Sequence, residues 1–315
     1  MKIITNRQIR ELNISPAKCI DWVKESFSLK EIAQLPAKIS LHPQGNDFFN
    51  TMPCLLPDPL NYFGVKEVHR IKGATPALGS DLLLYNSLSG ELLALFDADW
   101  ITTMRTGAVA VLAIQTFRST KACSYGFMGL GNTGRATMLC LLDSEPNIMH
   151  HVILLRYKDQ AESFIERFQG YSNVTFTICD DIKDLVSQSD VIVSCVTEAQ
   201  GLFCDDNDRY KQGCLVVPVH TRGFQNCDLF FDKVYADDTA HVCGFKYFNQ
   251  FKEYAEIQDV IEGKAQGRMS DEERILSYNI GLGLHDVVYA SKIYEMLKDD
   301  SMEIELERET DKFWI

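Results

Sequence analysis

The sequence predicts an α/β protein built on a doubly wound parallel sheet, with a second, α+β domain in the same chain. Three observations carry this reading. The chain has 315 residues, enough for about two domains of ~150 residues each. From Lys121 onward strand-like and helix-like segments alternate, the pattern of parallel strands joined by crossover helices. A glycine-rich turn, Gly129-Leu-Gly131-Asn-Thr-Gly134, follows one of those strands and opens a helix.

Residues 1–30 read as amphipathic helix. Pro16 suits the first turn of one helix. Ser28-Leu-Lys-Glu31 has the spacing of a capping box and starts another, which Pro36 ends. From Lys38 to Phe96 the texture changes to strands. Ile39 and Leu41 alternate with polar residues, 62–65 with Val68 form a strand, and 82–85 and 92–96 flank a hairpin loop at 86–90. Residues 102–113 read as an Ala-rich helix with Thr102 or Thr103 as its N-cap. Strands follow at 123–128, 152–155, 174–178, 191–194 and 215–217, with helices at 135–142 and 160–168. A helical stretch at 272–297 is interrupted by Gly281 and Gly283. The acid-rich tail, 298–315, is expected at the surface.

Composition narrows the function classes. A hydrophobic share of 46% and a charged share of 24% fit an ordinary globular protein. A chain of this length buries a large core without metal or disulfide staples. Lys plus Arg is 31 against 44 for Asp plus Glu, a formal charge of −13, and no basic run exceeds a pair. A nucleic-acid partner is therefore not expected, since such partners need massed cations. A small anion still is, because a local site can oppose the global charge. The ten cysteines form no C-x-x-C pair and no zinc-ligand spacing with His, so they read as small buried hydrophobes in a reducing compartment, with no metal. The first seven residues include Lys2 and Arg7, and no apolar stretch approaches the ~20 residues of a membrane span. A cytoplasmic protein without a membrane partner is expected.

The glycine turn is a Rossmann-type dinucleotide fingerprint in its proper context. Gly129 permits the tight turn, Gly131 lets backbone approach a pyrophosphate, and Gly134 lets helix pack on strand. Asn132 and Thr133 open the helix, whose N–H groups and dipole suit phosphate. The end of the second strand tells NAD from NADP. NAD binders place Asp or Glu there. This chain has Arg156 and Lys158, with Asp159 late in the run, so NAD(P) is the expected cofactor and NADP(H) is favoured.

Residues 97–108, Asp97-Ala-Asp-Trp-Ile-Thr-Thr-Met-Arg105-Thr-Gly-Ala108, resemble the Thr-x-x-Arg-Thr-Ala/Gly-Ala signature of the ornithine cyclodeaminase/mu-crystallin family. Met52-Pro53, Gly64-Val-Lys66, Ser89-Gly90-Glu-Leu-Leu-Ala94, Asp190-Val-Ile-Val-Ser194 and Gly281-Leu-Gly-Leu-His-Asp286-Val-Val-Tyr-Ala290 match in the same order, over roughly 35–297. The resemblance implies a homodimeric, NAD(P)-dependent enzyme acting by hydride transfer at the α-carbon of a small amino or imino acid. Residues 1–118 with 279–315 would bind substrate and dimerise. Residues 119–278 would form the Rossmann domain, with catalysis between the two.

The same resemblance assigns residues. Arg105 would hold the substrate carboxylate beside the cofactor phosphates, with Thr106 and Thr102 supporting the phosphates. Lys66 would lie near the α-carbon and exchange protons. Cys195, Val196, Thr197 and His220 would neighbour the cofactor. Asp228 is the candidate acid, although its loop, 219–229, is shorter than usual and Asp228 can instead align with the next acidic position. Lys38 stands where the family has arginine, keeping the charge without the planar fork. Asn50 stands where ornithine-specific members have glutamate. Conversion of ornithine to proline plus ammonia is the first expectation. Alternatives are a ketimine reductase or an amino-acid or opine-type dehydrogenase with net cofactor turnover, which Asn50 favours, and a non-catalytic NADP(H)-binding protein.

Overall fold

The computed structural model describes residues 1–220, 222–308 and 311–312. In chain order the first part runs β1 (Lys2–Ile4), α1 (Asn6–Glu11), α2 (Pro16–Ser28), β2 (Ile39–Leu41), β3 (Phe48–Leu56), β4 (Tyr62–Arg70), β5 (Leu78–Asn86), β6 (Leu92–Asp97) and α3 (Asp99–Phe117). The middle runs β7 (Ser124–Met128), α4 (Asn132–Ser144), β8 (His150–Leu155), α5 (Gln160–Phe168), β9 (Val174–Cys179), α6 (Ile182–Gln188), β10 (Val191–Ser194), β11 (Leu215–Pro218), α7 (Cys227–Phe230), β12 (Lys233–Ala236), α8 (Thr239–Val242), β13 (Tyr254–Glu256), α9 (Ile257–Ile261) and β14 (Ile275–Tyr278). The last elements are α10 (Gly283–Leu297) and β15 (Met302–Glu303).

The chain divides into two compact units. One comprises Met1–Ile14, Leu29–Thr102 and Gly283–Ile315; the other comprises Ser15–Ser28 and Thr103–Leu282. The expected divisions at 118/119 and 278/279 thus differ from the observed ones at 102/103 and 282/283, and α2 goes with the parallel sheet.

The first unit holds a seven-stranded sheet in the order β15-β1-β6-β5-β4-β3-β2. Its neighbours are antiparallel except β1 and β6. Strand alternation sorts the side chains. Met52, Cys54, Leu56, Lys66, Val68, Leu82, Leu84, Ala94 and Phe96 are buried, and α10 packs on the sheet at β3, β4 and β5. The opposite face carries Pro53, Leu55, Phe63, Val65, Leu83, Tyr85 and Leu95, all half-exposed.

The second unit holds an eight-stranded sheet in the order β13-β12-β14-β11-β10-β7-β8-β9. All its pairs are parallel. β10, β11 and β14 are buried at every residue, as strands covered on both faces must be. Strand order reverses beside β7, where α4 follows one way and β10 pairs on the other side. That reversal is a topological switch point, where such sheets bind ligands at their carboxyl ends.

Several local expectations are corrected. The capping box belongs to Thr5 and Gln8 at the start of α1. Ser28 instead ends α2, its Oγ donating to the Glu25 carbonyl. Residues 29–33 form turns and a bend rather than a helix, and Gln34 exchanges backbone bonds with Leu55. α3 begins at Asp99, so neither Thr102 nor Thr103 is its N-cap; Thr102 Oγ1 lies 2.8 Å from Ser80 Oγ. The helical stretch at 272–297 is really a strand, β14, followed by α10. Pairing of β14 with β11 and β12 overrides the local helical texture. β12, β13 and α6 had no sequence expectation. The tail is exposed from Met302 to Arg308; positions 309, 310 and 313–315 lie outside the described residues.

Candidate functional site

In the parallel-sheet unit β7 delivers the chain to Gly129, which adopts φ +80°. A Cβ there would collide with the backbone of Cys195 and Val196, so the glycine turn lies flat against the loop after β10. Gly134 is as constrained: a Cβ would come 2.5 Å from the Gly129 carbonyl. Gly131 is the opposite case. Nothing lies within 4 Å of its missing Cβ. It is the N-cap of α4 and supplies no side-chain cap. The first-turn N–H groups at Asn132 and Thr133 are thereby left for an outside acceptor, and open space lies over the glycine through which it can approach. A dinucleotide pyrophosphate fits this cradle in charge and in shape.

The loop after β10 completes that wall. Cys195 N–H donates to the Met128 carbonyl at 2.8 Å. Burial pushes the Cys195 thiol up to about 12, which holds it neutral in this wall. Val196 is half-buried and Thr197 exposed. His220 has both ring nitrogens engaged. Nδ1 accepts from the Arg222 N–H at 3.1 Å, and Nε2 lies 2.7 Å from Ser194 Oγ. Burial, and then the Arg222 charge, lower its pKa to about 4. The ring is neutral near pH 7 and positions backbone rather than moving protons. Thr221, in the same loop, lies outside the described residues.

At the end of β8, Arg156 is exposed and its fork is taken by Asp180 and Glu162. Lys158 adopts φ +51° and lies 5.4 Å from the Tyr157 ring centroid.

Arg105 and Thr106 sit in α3. Arg105 is 5% exposed. Its guanidinium lies against Gly281, at φ +96°, where a Cβ would come 2.5 Å from an Arg105 Nη. That turn is fixed from behind. Asp237, fully buried at the end of β12, accepts from the Ile280 and Gly281 N–H groups at 2.8 and 2.6 Å. Asp237 thus positions the floor on which the Arg105 fork rests, a role with no local signal in the sequence.

In the first unit Lys66, on β4, meets Asp286, on α10. Their Nζ–Oδ1 distance is 2.8 Å and both side chains are 0% exposed. Sequence reasoning singled out Lys66 and missed Asp286, although Asp286 lay inside the Gly281–Ala290 motif. The carboxylate is felt nearby, since Asp286 adds to the effect of burial in pushing the Cys54 thiol up to about 12. Asn50 and Lys38 join this face by register. Asn50 pairs with Val68 and Ser40, Met52 pairs with Lys66, and Lys38 directly precedes β2. Asn50 Oδ1 is buried without a hydrogen-bond partner among the described residues.

Asp228 belongs to the parallel-sheet unit. It lies in the first turn of α7, 1% exposed, and accepts from the Tyr278 hydroxyl at 2.8 Å. Phe224, Cys227 and Tyr278 belong to one apolar core there. Burial raises the Asp228 carboxyl to about 6.

Among the described residues no group of His, Cys, Asp and Glu is placed to hold a metal ion. No helix among them is long and apolar enough to cross a membrane.

The profile of the ornithine cyclodeaminase/mu-crystallin family matches residues 2–301. The Delta(1)-pyrroline-2-carboxylate reductase of Colwellia psychrerythraea is 25% identical over 320 residues, 95% of this chain and 100% of that protein. Among solved structures, the Thermococcus litoralis Delta(1)-pyrroline-2-carboxylate reductase, with NADH and L-proline, superposes with TM-score 0.84 at 19% identity, covering 96% and 100% of the two chains. An archaeal alanine dehydrogenase dimer with bound NAD gives TM-score 0.78 at 22% identity, covering 98% and 99%. These structures share the fold of the chain, Rossmann sheet included. With the profile matched over nearly its whole length, the chain belongs to the ornithine cyclodeaminase/mu-crystallin family.

Proposed function

We propose that the protein is an NAD(P)-dependent oxidoreductase that transfers hydride at the α-carbon of a small α-amino or α-imino acid, with net turnover of the cofactor. The observation that carries this reading is the Lys66–Asp286 pair. Two charges without exposed surface contribute little net stability against an apolar replacement, so their presence points to chemistry. The uncapped glycine turn supports the cofactor, as do the reductase and dehydrogenase relatives.

When bound, the nicotinamide gives or takes the hydride. The remaining tasks fall to side chains. Arg105 holds the carboxylate through its planar fork. Lys66 exchanges a proton at the substrate α-nitrogen, and Asp286 fixes the ammonium and balances its charge. Lys38 adds positive charge for the carboxylate. Thr106 supports the cofactor phosphates. Asn50, with its open acceptor, takes an N–H of the substrate. It is neutral, which favours net reduction or oxidation over the cyclodeamination of ornithine. Asp228 supports Tyr278 and is not the proton donor.

NADP(H) is the favoured cofactor form. Arg156 and Lys158 stand at the ribose end of β8, and the Asp180 and Glu162 pairs that hold Arg156 are exposed and weak. The half-exposed apolar sheet face of the first unit supports a homodimer, the state in which the archaeal alanine dehydrogenase was solved.

The test is incubation with NADPH or NADH and Δ1-pyrroline-2-carboxylate, or pyruvate with ammonia, beside ornithine with the oxidised cofactors. Products are followed by mass and cofactor by absorbance. Imino-acid reduction with one cofactor consumed per product is expected. Proline from ornithine without change in absorbance would restore the cyclodeaminase reading. Tight cofactor binding without turnover of any substrate would leave a binding protein.

A further inference from the structure

A cleft of about 510 Å³ opens at the carboxyl end of the parallel sheet, between the loops after β10 and β11 and the segment after α8. Its size is that of a small-ligand site. Gln200 and Leu202 line it from the first loop, Arg222 and Leu229 from the second loop and α7, and Lys246 and Tyr247 from beyond α8. Leu202 and Leu229 are 44% and 42% exposed and give the cleft an apolar wall.

The two cations are the notable feature. Exposed cations nearby are neutralised: Lys183 by Asp205, Arg209 by Asp184 and Asp206, Lys252 by Asp232. Arg222 and Lys246 form no ion pair among the described residues. Lys246 lies over the Tyr247 ring at 4.8 Å. In a chain of charge −13, two uncompensated cations facing one cleft form a local field of the opposite sign, and such a field recruits anions.

The cleft also lies close to the cofactor cradle. Cys195 and Val196 touch the glycine turn, and Ala199 already lines the cleft. Three residues of chain reach at most ~11 Å. His220, tied to Ser194 at the end of β10, stands two residues before Arg222. Both loops belong to the β10–β11 side of the switch point, across from the β8 end that would meet the adenosine ribose of a bound dinucleotide.

We propose that this cleft receives the distal arm of the substrate, which is therefore an α-amino or α-imino acid ending in a second acidic group. Leu202 and Leu229 pack along the methylenes of the arm, and Arg222 and Lys246 hold its terminal anion. The inference rests on the hydride-transfer reading above and names its substrate class.

The experiment compares matched amino acids with the oxidised cofactor and the whole protein: L-glutamate and O-phospho-L-serine against L-norvaline and L-serine. The same set is run on an Arg222→Gln/Lys246→Gln double variant, with cofactor affinity and melting temperature measured for both proteins. An acidic arm is expected to raise kcat/KM by about 10- to 100-fold over its neutral match, chiefly through KM, as charge-assisted bonds do. The double variant should erase that ratio and keep its cofactor affinity. Glutamate or phosphoserine as the better substrate tells a carboxylate from a phosphoryl terminus. A preference for the neutral acids, an unmoved ratio in the double variant, or a loss of cofactor affinity in it would overturn the proposal. Turnover of neutral acids alone defeats only this inference. Cofactor binding without any turnover defeats the hydride-transfer reading and this one with it.

Discussion

A lysine and an aspartate with no exposed surface between them are held 220 positions apart in sequence. Removing one partner leaves the other charge buried and uncompensated. Lys66→Met or Asp286→Asn should therefore each lower unfolding free energy by about 3–5 kcal/mol, while Lys66→Met with Asp286→Leu should recover part of that loss. Chemical denaturation reads this directly. Turnover should fall by at least about 100-fold in all three variants, with cofactor affinity held. Asp228 poses a different question. Its carboxyl titrates near 6 when folded against 3.8 when unfolded. The folded state thus holds a proton that the unfolded state releases between those values, and the stabilisation from this group is lost as pH rises through about 6. His220 runs the other way. Its pKa falls from 6.5 to about 4, so its contribution is present above 6.5 and lost as pH falls toward 4. Asp228→Asn should remove only the first effect. Its stability relative to the native protein should climb by up to about 3 kcal/mol between pH 4 and 7 and then level off. Activity should stay within several-fold, because the amide oxygen still accepts from Tyr278. A collapse of activity with the fold intact would return Asp228 to the chemistry.

At the scale of the element, two glycines of one turn should respond oppositely. Gly129 combines φ +80° with backbone pressed against it, so Gly129→Ala should destabilise the unit and lower its melting temperature. Gly131 has ordinary φ and open space. Gly131→Ala should leave melting unchanged and weaken dinucleotide binding by at least about 10-fold, since the methyl occupies the path of the pyrophosphate. Calorimetric titration with NADPH and NADH checks both. This turn was legible because its chemistry is local: strand, glycines and helix start lie within a dozen residues. The crossovers from β7 to β9 were legible for the same reason, their apolar strands being separated by helical periodicity at α4 and α5. β14 was not. Its four residues follow an acidic, helix-like stretch, and only pairing with β11 and β12, about 60 and 40 residues upstream, makes them a strand. The capping box shows the same limit. Thr5–Gln8 and Ser28–Glu31 have identical spacing, and tertiary contacts decide which one caps a helix. The site divides likewise. Lys66 and Arg105 stood inside contiguous motifs, whereas Asp286 as partner and Asp237 as support for the Gly281 turn exist only once distant elements meet.

For the molecule as a whole, the sheet of the first unit leaves a row of half-buried apolar side chains on the face opposite Lys66. Pro53, Val65, Leu83 and Leu95 lie side by side across four strands, and Leu55, Phe63 and Tyr85 form a second row. A contiguous patch of this kind suits the pairing surface of the proposed homodimer. The residues that would grip cofactor belong to the other unit, so assembly and cofactor binding are separable by mutation. Leu83 sits mid-row, flanked by Val65 and Leu95. Leu83→Glu places a carboxylate where a partner sheet would remove water, and burying an unpaired charge costs far more than one leucine contact contributes. The native protein should sediment at twice its chain mass at micromolar concentration. The variant should sediment as a single chain, its dimer dissociation constant raised by at least about 100-fold. Its far-ultraviolet spectrum and dinucleotide affinity should match the native protein, because the substitution lies on a solvent-facing position of one strand and outside the glycine turn. A native protein that sediments as a monomer, or a Leu83→Glu variant that stays a dimer, would show that this face serves something other than pairing with a second copy.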